Sequence, residues 1–427
     1  MNITLDSAAL ARMDAADPLA PLREEFHIPA REDGSPGVYF CGHSLGLPPR
    51  NAATLVNEEL AAWARHGVEG HFESTRPWLS YHEQLTPGLA RLAGAHPSEV
   101  VAMNSLTVNL HLMLMSFYRP TNERPCIVIE KSAFPSDRYA VASQVLQRGF
   151  EPARCLIEIA PRPGEHLIRT EDVYELLEQR GSTIATLMLP GVQYLSGQCF
   201  DMRGITAYAH RHGAVVGFDL AHAMGNIPLG MHDWNVDFAV WCSYKYLNSG
   251  PGAIGGCFVH ERHAQAFDLP RLAGWWGHDK ASRFDMPERF QPLPGAEGWQ
   301  ISNPSVLSAA PLIASLALFD RAGVERLREK SIALTGALAT LLIERLHEQV
   351  TILTPADPAA RGCQLSLRLR RSPSEARKVH TALTAEGFAC DWREPDVIRV
   401  APVPLYNTFG DVWAFAQALG RALGSRW

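Results

Sequence analysis

The sequence predicts an α/β protein in which helices cover both faces of a mostly parallel sheet, followed by a smaller α+β domain. The first observation is a regular alternation of short apolar runs and amphipathic stretches from about residue 98. The second is the length of 427 residues, which exceeds the size at which one hydrophobic core keeps growing. The third is a separate strand and helix pattern that begins at residue 363. Together they indicate two domains, the larger one built on a parallel sheet.

Seven apolar runs are predicted to form the strands of the large sheet. They are EVVAMN (99–104), PCIVIE (125–130), RCLIEIA (154–160), TIATLMLP (183–190), AVVGFD (214–219), DFAVWCS (237–243) and IGGCFVH (254–260). Amphipathic stretches between them predict the covering helices: LTVNLHLMLMSFY, PSDRYAVASQVLQR, TEDVYELLEQR and MRGITAYAHRHG. Right-handed connections would place the loops that follow the strands along one edge of the sheet, where ligands usually bind.

The remaining chain departs from this alternation. Residues 261–303 are rich in Trp, Phe, Pro and Gly, a composition too irregular for packed helices. A long helical region is predicted from Ser305 to about Gln349. An α+β pattern follows, with strand CQLSLRLR, helix SEARKVHTALTAEG, strands FACDW and VIRVAP, and helix GDVWAFAQALGRAL. The predicted domains are 49–305 for the large one and 1–48 with 306–427 for the small one.

Composition and charge argue against several classes of protein. The net charge is −6 with acids and bases interleaved, so nucleic acid is not an expected partner, because binding its backbone requires clustered Lys and Arg. No apolar run reaches the roughly 18 residues of a membrane span, and no secretory signal pattern is present. The eight cysteines form no CxxC pair and most lie in apolar runs. This usage predicts a reducing compartment and neither a disulfide nor a zinc framework. With no signal pattern and no membrane span, the expected location is the cytoplasm, and no metal ligands are singled out.

The chemistry of the chain is concentrated at the ends of two successive predicted strands. One strand ends at Asp219, with His222 just after it, and the next leads to Tyr244 and Lys245. A glycine-rich turn, SGPGAIGG, follows and permits close approach of the backbone to a ligand. Alone, Lys245 could be a solvated strand end and Asp219 a helix cap. Together they favour pyridoxal phosphate, whose aldehyde bonds to a lysine and whose ring nitrogen an acid keeps protonated.

Other residues could complete such a site, and each has a structural alternative. Leu106 and Thr107 begin a helix whose N–H groups and hydroxyl could hold a phosphate, although a simple helix cap uses the same residue types. Phe134, at another strand end, could stack on a planar ring or belong to the core. Asp137 could contact that ring or cap the following helix.

Arg399 is the candidate for binding a substrate carboxylate. A guanidinium holds a carboxylate through two hydrogen bonds, as an amino-acid substrate requires. Its alternation with Ile398 and Val400 places it on the other face of the strand from those apolar residues. The alternative is an exposed strand arginine.

Ten segments between residues 41 and 407 carry a resemblance to a known family: CGHSLGLPP, MNSLTVNLHLM, FPSD, GVQYLSGQCFDM, GFDLAHAMGN, DFAVWCSYKYLNSGPG, GWWGH, ISNP, RGCQLS and IRVAPVPLYN. Together they resemble the kynureninase family. The family belongs to the fold type I pyridoxal phosphate enzymes, so the resemblance implies that fold with a seven-stranded sheet. It also implies hydrolysis of the Cβ–Cγ bond of L-kynurenine, and of 3-hydroxy-L-kynurenine, to anthranilate or 3-hydroxyanthranilate and L-alanine. A homodimer with active sites at the subunit interface is implied as well.

The resemblance further implies roles for individual residues. Lys245 would bond to the cofactor and move protons, and Asp219 would pair with the pyridine nitrogen. Tyr244 would reach the phosphate, which would orient it as a proton donor for the product enamine. The other implied cofactor contacts are Leu106, Thr107, Phe134, Asp137 and His222, with Trp275 and Asn303 from across the dimer interface. The implied substrate contacts are Ser44, His71, Leu79, Trp276, Asn303 and Arg399.

One position departs from the family pattern. Pro190 stands where some relatives carry a serine, so this point of the site has neither a hydroxyl nor a backbone N–H to offer the cofactor.

Two alternatives stay open on the sequence. One is another fold type I activity, a cysteine desulfurase-like lyase or an aminotransferase, which would share Asp219 and Lys245. A desulfurase needs a cysteine in a mobile loop, and none of the eight lies in an obvious one. The other is a non-catalytic binding module that retains the fold. Such a module would have no need of Lys245, which is present with its neighbours.

Overall fold

The computed structural model describes residues 5–425. Residues 1–4 and 426–427, which the predicted small domain includes, lie outside the described residues. The strands are β1 (Val38–Tyr39), β2 (Val100–Ala102), β3 (Cys126–Glu130), β4 (Leu156–Ile159), β5 (Ile184–Pro190), β6 (Val215–Asp219), β7 (Phe238–Trp241), β8 (Gly256–Val259), β9 (Val350–Ile352), β10 (Leu365–Leu369), β11 (Phe388–Ala389), β12 (Asp391–Arg393) and β13 (Val397–Val400).

The α-helices alternate with these strands over most of the chain. They are α1 (Ser7–Ala15), α2 (Ala52–His66), α3 (Gly70–Glu73), α4 (Thr86–Ala93), α5 (Leu106–Phe117), α6 (Pro135–Gln147), α7 (Pro152–Cys155), α8 (Thr170–Arg180), α9 (Met202–Arg211), α10 (Val306–Ala322), α11 (Val324–Leu346), α12 (Pro373–Ala385) and α13 (Phe409–Ala422). The four amphipathic stretches of the sequence correspond to α5, α6, α8 and α9.

A seven-stranded sheet forms the centre of the large part of the chain. Its order is β2-β8-β7-β6-β5-β3-β4, and its members are the seven predicted strands. Neighbouring strands are parallel except β8, which is antiparallel to both β2 and β7. The prediction of a mostly parallel α/β sheet is therefore confirmed.

Alternate residues of these strands enter two different hydrophobic cores. In β3, Val128 belongs to a core that includes residues of α4, α8, α9 and α10, whereas Ile127 and Ile129 belong to one that includes residues of α5 and α6. Because successive side chains of a strand point to opposite faces, a sheet covered on both faces needs apolar residues at every position. The continuous apolar runs of the sequence have this origin.

The C-terminal part forms a smaller α+β unit. Its antiparallel sheet has the order β12-β13-β10-β9, and β1 from the N-terminal segment pairs in parallel with β11. The core of this unit includes Leu10, Val38 and Phe40 from the same N-terminal segment. Helix α10, by contrast, contributes Ala309 and Leu312 to the core of the large sheet. The domain limits of 49–305, and of 1–48 with 306–427, stay a prediction.

The irregular segment after β8 and the long helices that follow it were also the subject of predictions. Residues 260–305 contain only short 3₁₀ turns, at Glu261–His263, Trp275–Gly277, Arg283–Asp285 and Ala296–Trp299, in agreement with the prediction of no packed helix there. Within residues 5–425 no single helix is long and apolar enough to cross a membrane. Helices α10 and α11 pass that test of length and composition only as a pair, and they are bent by 82°.

The carboxyl ends of the parallel strands bring polar residues to one edge of the sheet. Strand β3 ends at Glu130, β5 at Pro190 and β6 at Asp219. Lys245 follows the end of β7, and β2 leads into the amino end of α5. In open α/β sheets this edge is where ligands bind.

Candidate active site

Lys245 lines a cavity at this edge of the sheet. Its Nζ is 3.2 Å from Nε2 of His222 and 5.9 Å from the ring centroids of Phe134 and Tyr244. Burial, and then the charge of Lys245, lower the pKa of His222 well below its usual value. The imidazole is therefore neutral, and its Nε2 accepts a hydrogen bond from Nζ of Lys245. The cavity thus holds one amine in a fixed position.

The N-terminal segment packs against the turn that carries Lys245. The N–H of Gly46 donates to the carbonyl of Tyr244 at 2.8 Å. A Cβ at position 46 would lie 2.2 Å from the carbonyl oxygen of Lys245, so only glycine permits this approach. Ser44, two residues earlier, is exposed, and its predicted contact with substrate stays a prediction.

Two of the carboxyl groups that line the cavity share a hydrogen bond. The Oδ1 of Asp219 accepts the N–H of Ala221 at 2.7 Å, which orients the side chain after β6. Asp137, in the first turn of α6, hydrogen-bonds to Asp219. Burial, followed by the negative charge of Asp219, raises the pKa of Asp137 well above its usual value. Asp137 therefore keeps its proton beside Asp219.

Glu130 is a third cavity acid, and the sequence analysis missed it. It lines the same cavity and is 3% exposed. Burial, with a smaller contribution from the charge of Asp219, raises the pKa of Glu130 to about 8. An acid at the end of an apolar strand is the signal that singles out Asp219. Glu130, however, is followed by Lys131, and two adjacent charged residues at this position are typical of a solvated strand end.

Replacing Glu130 by glutamine is expected to remove a pH-dependent component of stability from the cofactor-free protein. Its pKa is raised from 4.5 to about 8 in the folded chain. The stability that this shift contributes is fully present below the unfolded pKa and is lost as the pH rises through the folded pKa. Urea denaturation at a series of pH values should therefore show a shallower loss of stability over this interval in Glu130→Gln. The exposed Glu171→Gln should follow the parent, and parallel profiles for Glu130→Gln and the parent would contradict the assignment.

The amino end of α5 forms the part of the cavity wall suited to an anion. Leu106 and Thr107 line the cavity. The side chain of Ser105 makes no capping hydrogen bond to the helix, so the N–H groups of the first turn are open to a ligand. Gly255 lets the neighbouring backbone approach, because a Cβ there would lie 2.8 Å from the carbonyl oxygen of Trp241 and 3.2 Å from the N of Leu106.

An aromatic pair and a buried arginine extend the site. Phe134 lines the cavity and contacts Tyr194 edge to face, with ring centroids 5.3 Å apart. The carbonyl of Tyr194, which the sequence analysis also missed, accepts a hydrogen bond from Nη1 of Arg399 at 2.5 Å. The Nε of Arg399 donates to Asp391 at 2.7 Å. Arg399 is 1% exposed, so it is not a solvated strand arginine. Among the described residues, these bonds leave its Nη2 for a ligand.

The other predicted site residues lie on a separate surface. Ring contacts with centroid separations of 5.3–6.4 Å join a set of side chains that we call the aromatic surface: Trp78, His71, Phe72, Phe284 and Trp275. Trp276 is buried and contacts the ring of Trp275 edge to face. Asn303 and His71 line one groove at this surface, and Leu79 follows Trp78 in the chain. Within the described chain, His71, Leu79, Trp275, Trp276 and Asn303 do not line the cavity around Lys245. Their predicted contacts stay predictions.

The donor set of the cavity fits pyridoxal phosphate. Lys245 suits the aldehyde, the carboxyl group of Asp219 suits the ring nitrogen, and the open amino end of α5 suits the phosphate. Nδ1 of His222 is buried without a hydrogen-bond partner in the part of the chain described, so it too is available to a ligand. Pro190 also lines the cavity, although it has no hydrogen-bond donor to offer. With the topology of the sheet, these features define a pyridoxal phosphate-dependent enzyme of fold type I.

Known proteins identify the family more closely. The chain is 56% identical to a kynureninase of Koribacter versatilis over 95% of each chain. It is 56% identical to one of Myxococcus xanthus over 97% of each chain and 54% identical to one of Xanthomonas euvesicatoria over 98% of each. Residues 327–419 match the kynureninase C-terminal domain, and residues 80–232 match the DegT/DnrJ/EryC1/StrS aminotransferase family. The chain belongs to the kynureninase family.

Solved structures share the fold at much lower sequence identity. The cysteine desulfurase CsdA of Escherichia coli has a TM-score of 0.76 and 20% identity, over 95% of this chain and 98% of that chain. The cystine C-S lyase C-DES has a TM-score of 0.75 and 18% identity, over 90% of this chain and 97% of that chain. These likenesses concern the fold alone.

Proposed function

We propose that this chain hydrolyses the Cβ–Cγ bond of L-kynurenine, and of its 3-hydroxy form, in tryptophan degradation. The products are anthranilate or 3-hydroxyanthranilate, and L-alanine. The observation that carries the proposal is the 54–56% identity to kynureninases over nearly the whole chain. The cavity around Lys245 supports it, because the same residues fit the cofactor that such a reaction needs. Pyridoxal phosphate, when bound, supplies the electron sink for breaking the carbon–carbon bond.

Each residue of the site has its own role in the proposed reaction. Lys245 would hold the cofactor and would move a proton at the α carbon of the substrate, and neutral His222 keeps its amine in position. Asp219 would pair with the ring nitrogen of the cofactor and favour its protonated form, and protonated Asp137 would support Asp219 in that role. Arg399 binds the α-carboxylate through its remaining nitrogen, Nη2.

Conversion of Tyr244 to phenylalanine is expected to lower kcat by about 10²–10⁴-fold, the contribution of a positioned proton donor. Burial raises the pKa of Tyr244 above its usual value, so the phenol keeps the proton that it would deliver. Tyr244 also lines the cavity beside Lys245. Steady-state kinetics should show a fall in kcat larger than any change in KM, with the cofactor still bound. The exposed Tyr139→Phe is the matched control, and unchanged turnover in Tyr244→Phe would exclude the role.

Product analysis tests the proposed reaction itself. Purified protein loaded with pyridoxal phosphate should convert L-kynurenine to equal amounts of fluorescent anthranilate and L-alanine. Absence of anthranilate from a preparation that carries the cofactor would overturn the proposal. Comparing kcat/KM for L-kynurenine and 3-hydroxy-L-kynurenine would then define the preferred substrate, since the two differ by one ring hydroxyl.

The cysteines argue against a desulfurase. Six of the eight are buried, and the other two, Cys41 and Cys199, are partly buried. Burial raises the pKa of Cys41 to about 12 and that of Cys199 to about 11. These thiols therefore stay protonated and are poor nucleophiles. Release of sulfide from cysteine by the loaded enzyme would contradict this conclusion.

We also propose that the working unit is a cytoplasmic homodimer in which the aromatic surface of one copy faces the cavity of the other. Phe72 is 54% exposed, Phe284 50% and Trp275 45%. A contiguous exposed aromatic patch of this kind marks an interaction site. A second copy is the favoured occupant because His71 and Asn303, which the family resemblance assigns to the site, lie at this surface and away from the cavity.

Mixed dimers test the shared site. Lys245→Ala and the double variant His71→Ala/Asn303→Ala should each be inactive. In dimers formed by co-refolding equal amounts of the two, random pairing puts one intact site into half of the molecules. Activity should therefore return to about a quarter of the parental value. Co-refolding two batches of Lys245→Ala should restore nothing. A mixture that stays inactive while mass measurement shows mixed dimers would contradict the shared site.

A further inference from the structure

Two histidines and two glutamates meet at the end of β2 and β8 that is remote from the cofactor cavity. His96 and Glu99 precede β2, and Glu261 follows β8. His232 lies in the loop before β7. Since β2 leads from this cluster to the amino end of α5, the cluster and the predicted phosphate site lie at opposite ends of the strand. None of the four residues lines the cavity around Lys245.

The geometry of the cluster is close to that of a metal site. One potential ligand atom from each of the four residues lies within 4.8 Å of the other three. His232 Nδ1 is 3.0 Å from Glu99 Oε1, and His96 Nδ1 is 3.2 Å from Glu261 Oε2. The imidazole rings of His96 and His232 stack with centroids 3.9 Å apart. Tetrahedral zinc, with bonds of about 2.0–2.1 Å, places its ligand atoms about 3.4 Å apart, so small side-chain rotations would complete the site.

The surroundings of Glu99 have the form of an outer shell of hydrogen bonds. Glu99 is fully buried. Its Oε1 accepts the backbone N–H of Glu261 at 2.7 Å, and its Oε2 accepts the backbone N–H of His96 at 2.8 Å. Such bonds orient carboxylate ligands in metal sites. The side chains of His96 and Glu261 are 54% and 51% exposed, which gives an ion a path of entry.

We propose that His96, Glu99, His232 and Glu261 bind one divalent transition-metal ion, for which Zn²⁺ is the best fit. Two imidazole nitrogens and two carboxylate oxygens suit Zn²⁺, whereas Mg²⁺ and Ca²⁺ prefer oxygen ligands throughout. Four protein ligands complete a tetrahedron and leave no position for substrate, so the ion would be structural. It would tie the turn before β2 to the turn after β8, two strands that pair through Val100 and Phe258.

The competing description is a metal-free network of two acid–imidazole pairs. In that network the hydrogen bond that His232 donates to Glu99 raises the pKa of His232, and protons rather than a metal ion join each acid to its imidazole. The two descriptions differ in what happens when zinc is added. A network without a metal site has no saturable affinity that depends on all four side chains.

Zinc titration of the full-length, cofactor-loaded protein tests the proposal. After treatment with a chelating resin, calorimetric titration with ZnCl₂ should show one ion bound per chain. The melting temperature should rise with free zinc concentration, because the ion binds the folded state only. A parent protein that binds no zinc would overturn the proposal.

Two single variants show whether the ion is bound at this cluster. His96→Ala and Glu261→Gln each remove a half-exposed ligand. Either variant should lower the affinity for zinc by at least about 100-fold, which is more than the loss of an outer-shell hydrogen-bond partner would cause. Both variants should cleave kynurenine at the parental rate. The second variant keeps the test valid if the first does not fold. His347→Ala, which removes an exposed histidine elsewhere, should keep parental affinity. Parental affinity in both His96→Ala and Glu261→Gln would place the ion elsewhere and overturn the proposal.

Discussion

Replacement of Lys245 by alanine should lower kcat by about 10⁴-fold or more, the upper end of what a positioned proton-transfer group supplies. The variant loses both the amine that bonds to the cofactor and the base that lies 3.2 Å from His222. Turnover of L-kynurenine at saturating cofactor measures the effect. Borohydride reduction of the parent, followed by peptide mapping, should find the cofactor attached to Lys245, and the alanine variant should carry none.

The control for this experiment is another lysine that lies on the surface. Lys378 is exposed on α12, so Lys378→Ala should keep parental activity and cofactor attachment. Attachment of the cofactor to a different lysine in the parent would overturn the assignment of Lys245. Partial recovery of the Lys245→Ala variant by added small amines would support the role in proton transfer, whereas parental kcat without them would exclude it.

Replacement of Asp219 by asparagine should lower kcat by about 10²–10³-fold, the cost of removing one preorganised electrostatic contact at a reacting centre. The amide is nearly isosteric but carries no charge, so it cannot keep the ring nitrogen protonated. The hydrogen bond from Ala221 can be retained by the amide oxygen, which favours a folded variant. Kinetics with saturating cofactor should show the loss in kcat, and the visible absorbance of the bound cofactor should change.

A double variant tests whether Asp137 contributes to the same role, because Asp137 shares a hydrogen bond with Asp219. If Asp137 takes over the charge when Asp219 is replaced, the double variant Asp137→Asn/Asp219→Asn should lose more activity than Asp219→Asn alone. The exposed Asp233→Asn should behave as the parent. Parental kcat in Asp219→Asn, with the cofactor bound, would remove Asp219 from the mechanism.

The large sheet was predictable because of how it is buried. A strand covered on both faces is apolar at every position, and β5 is buried throughout its length. The short edge strands carry no such signal. Strand β9 has three residues directly after a helical region and was not predicted. Helix α10, which the predicted limits place in the small domain, contributes to the core of the large sheet, and its apolar composition alone does not show that contact.

The candidate site, like the fold, was predictable only in part. Strand ends of a parallel sheet meet at one edge, so the meeting of Asp219, Lys245 and the amino end of α5 follows from sequence order. The hydrogen bonds of Arg399 to Asp391 and Tyr194 depend on how the two parts of the chain pack. No local sequence pattern predicts them. Nor does a sequence show which residues a second copy contributes. The resemblance implied that Asn303 reaches the site across the dimer interface, whereas it placed His71 in the substrate pocket without saying which copy supplies it; in one chain neither residue lines the cavity.

The contact of Gly46 with the Lys245 turn has a consequence for how the enzyme matures. The two segments are far apart in the chain, and contacts of high sequence separation form late in folding because loop closure is costly. The amino terminus leaves the ribosome early, yet it finds its place only after the lysine has been synthesised. Binding of the cofactor should therefore follow folding of the whole chain. Covalent attachment of the cofactor would then indicate that folding is complete.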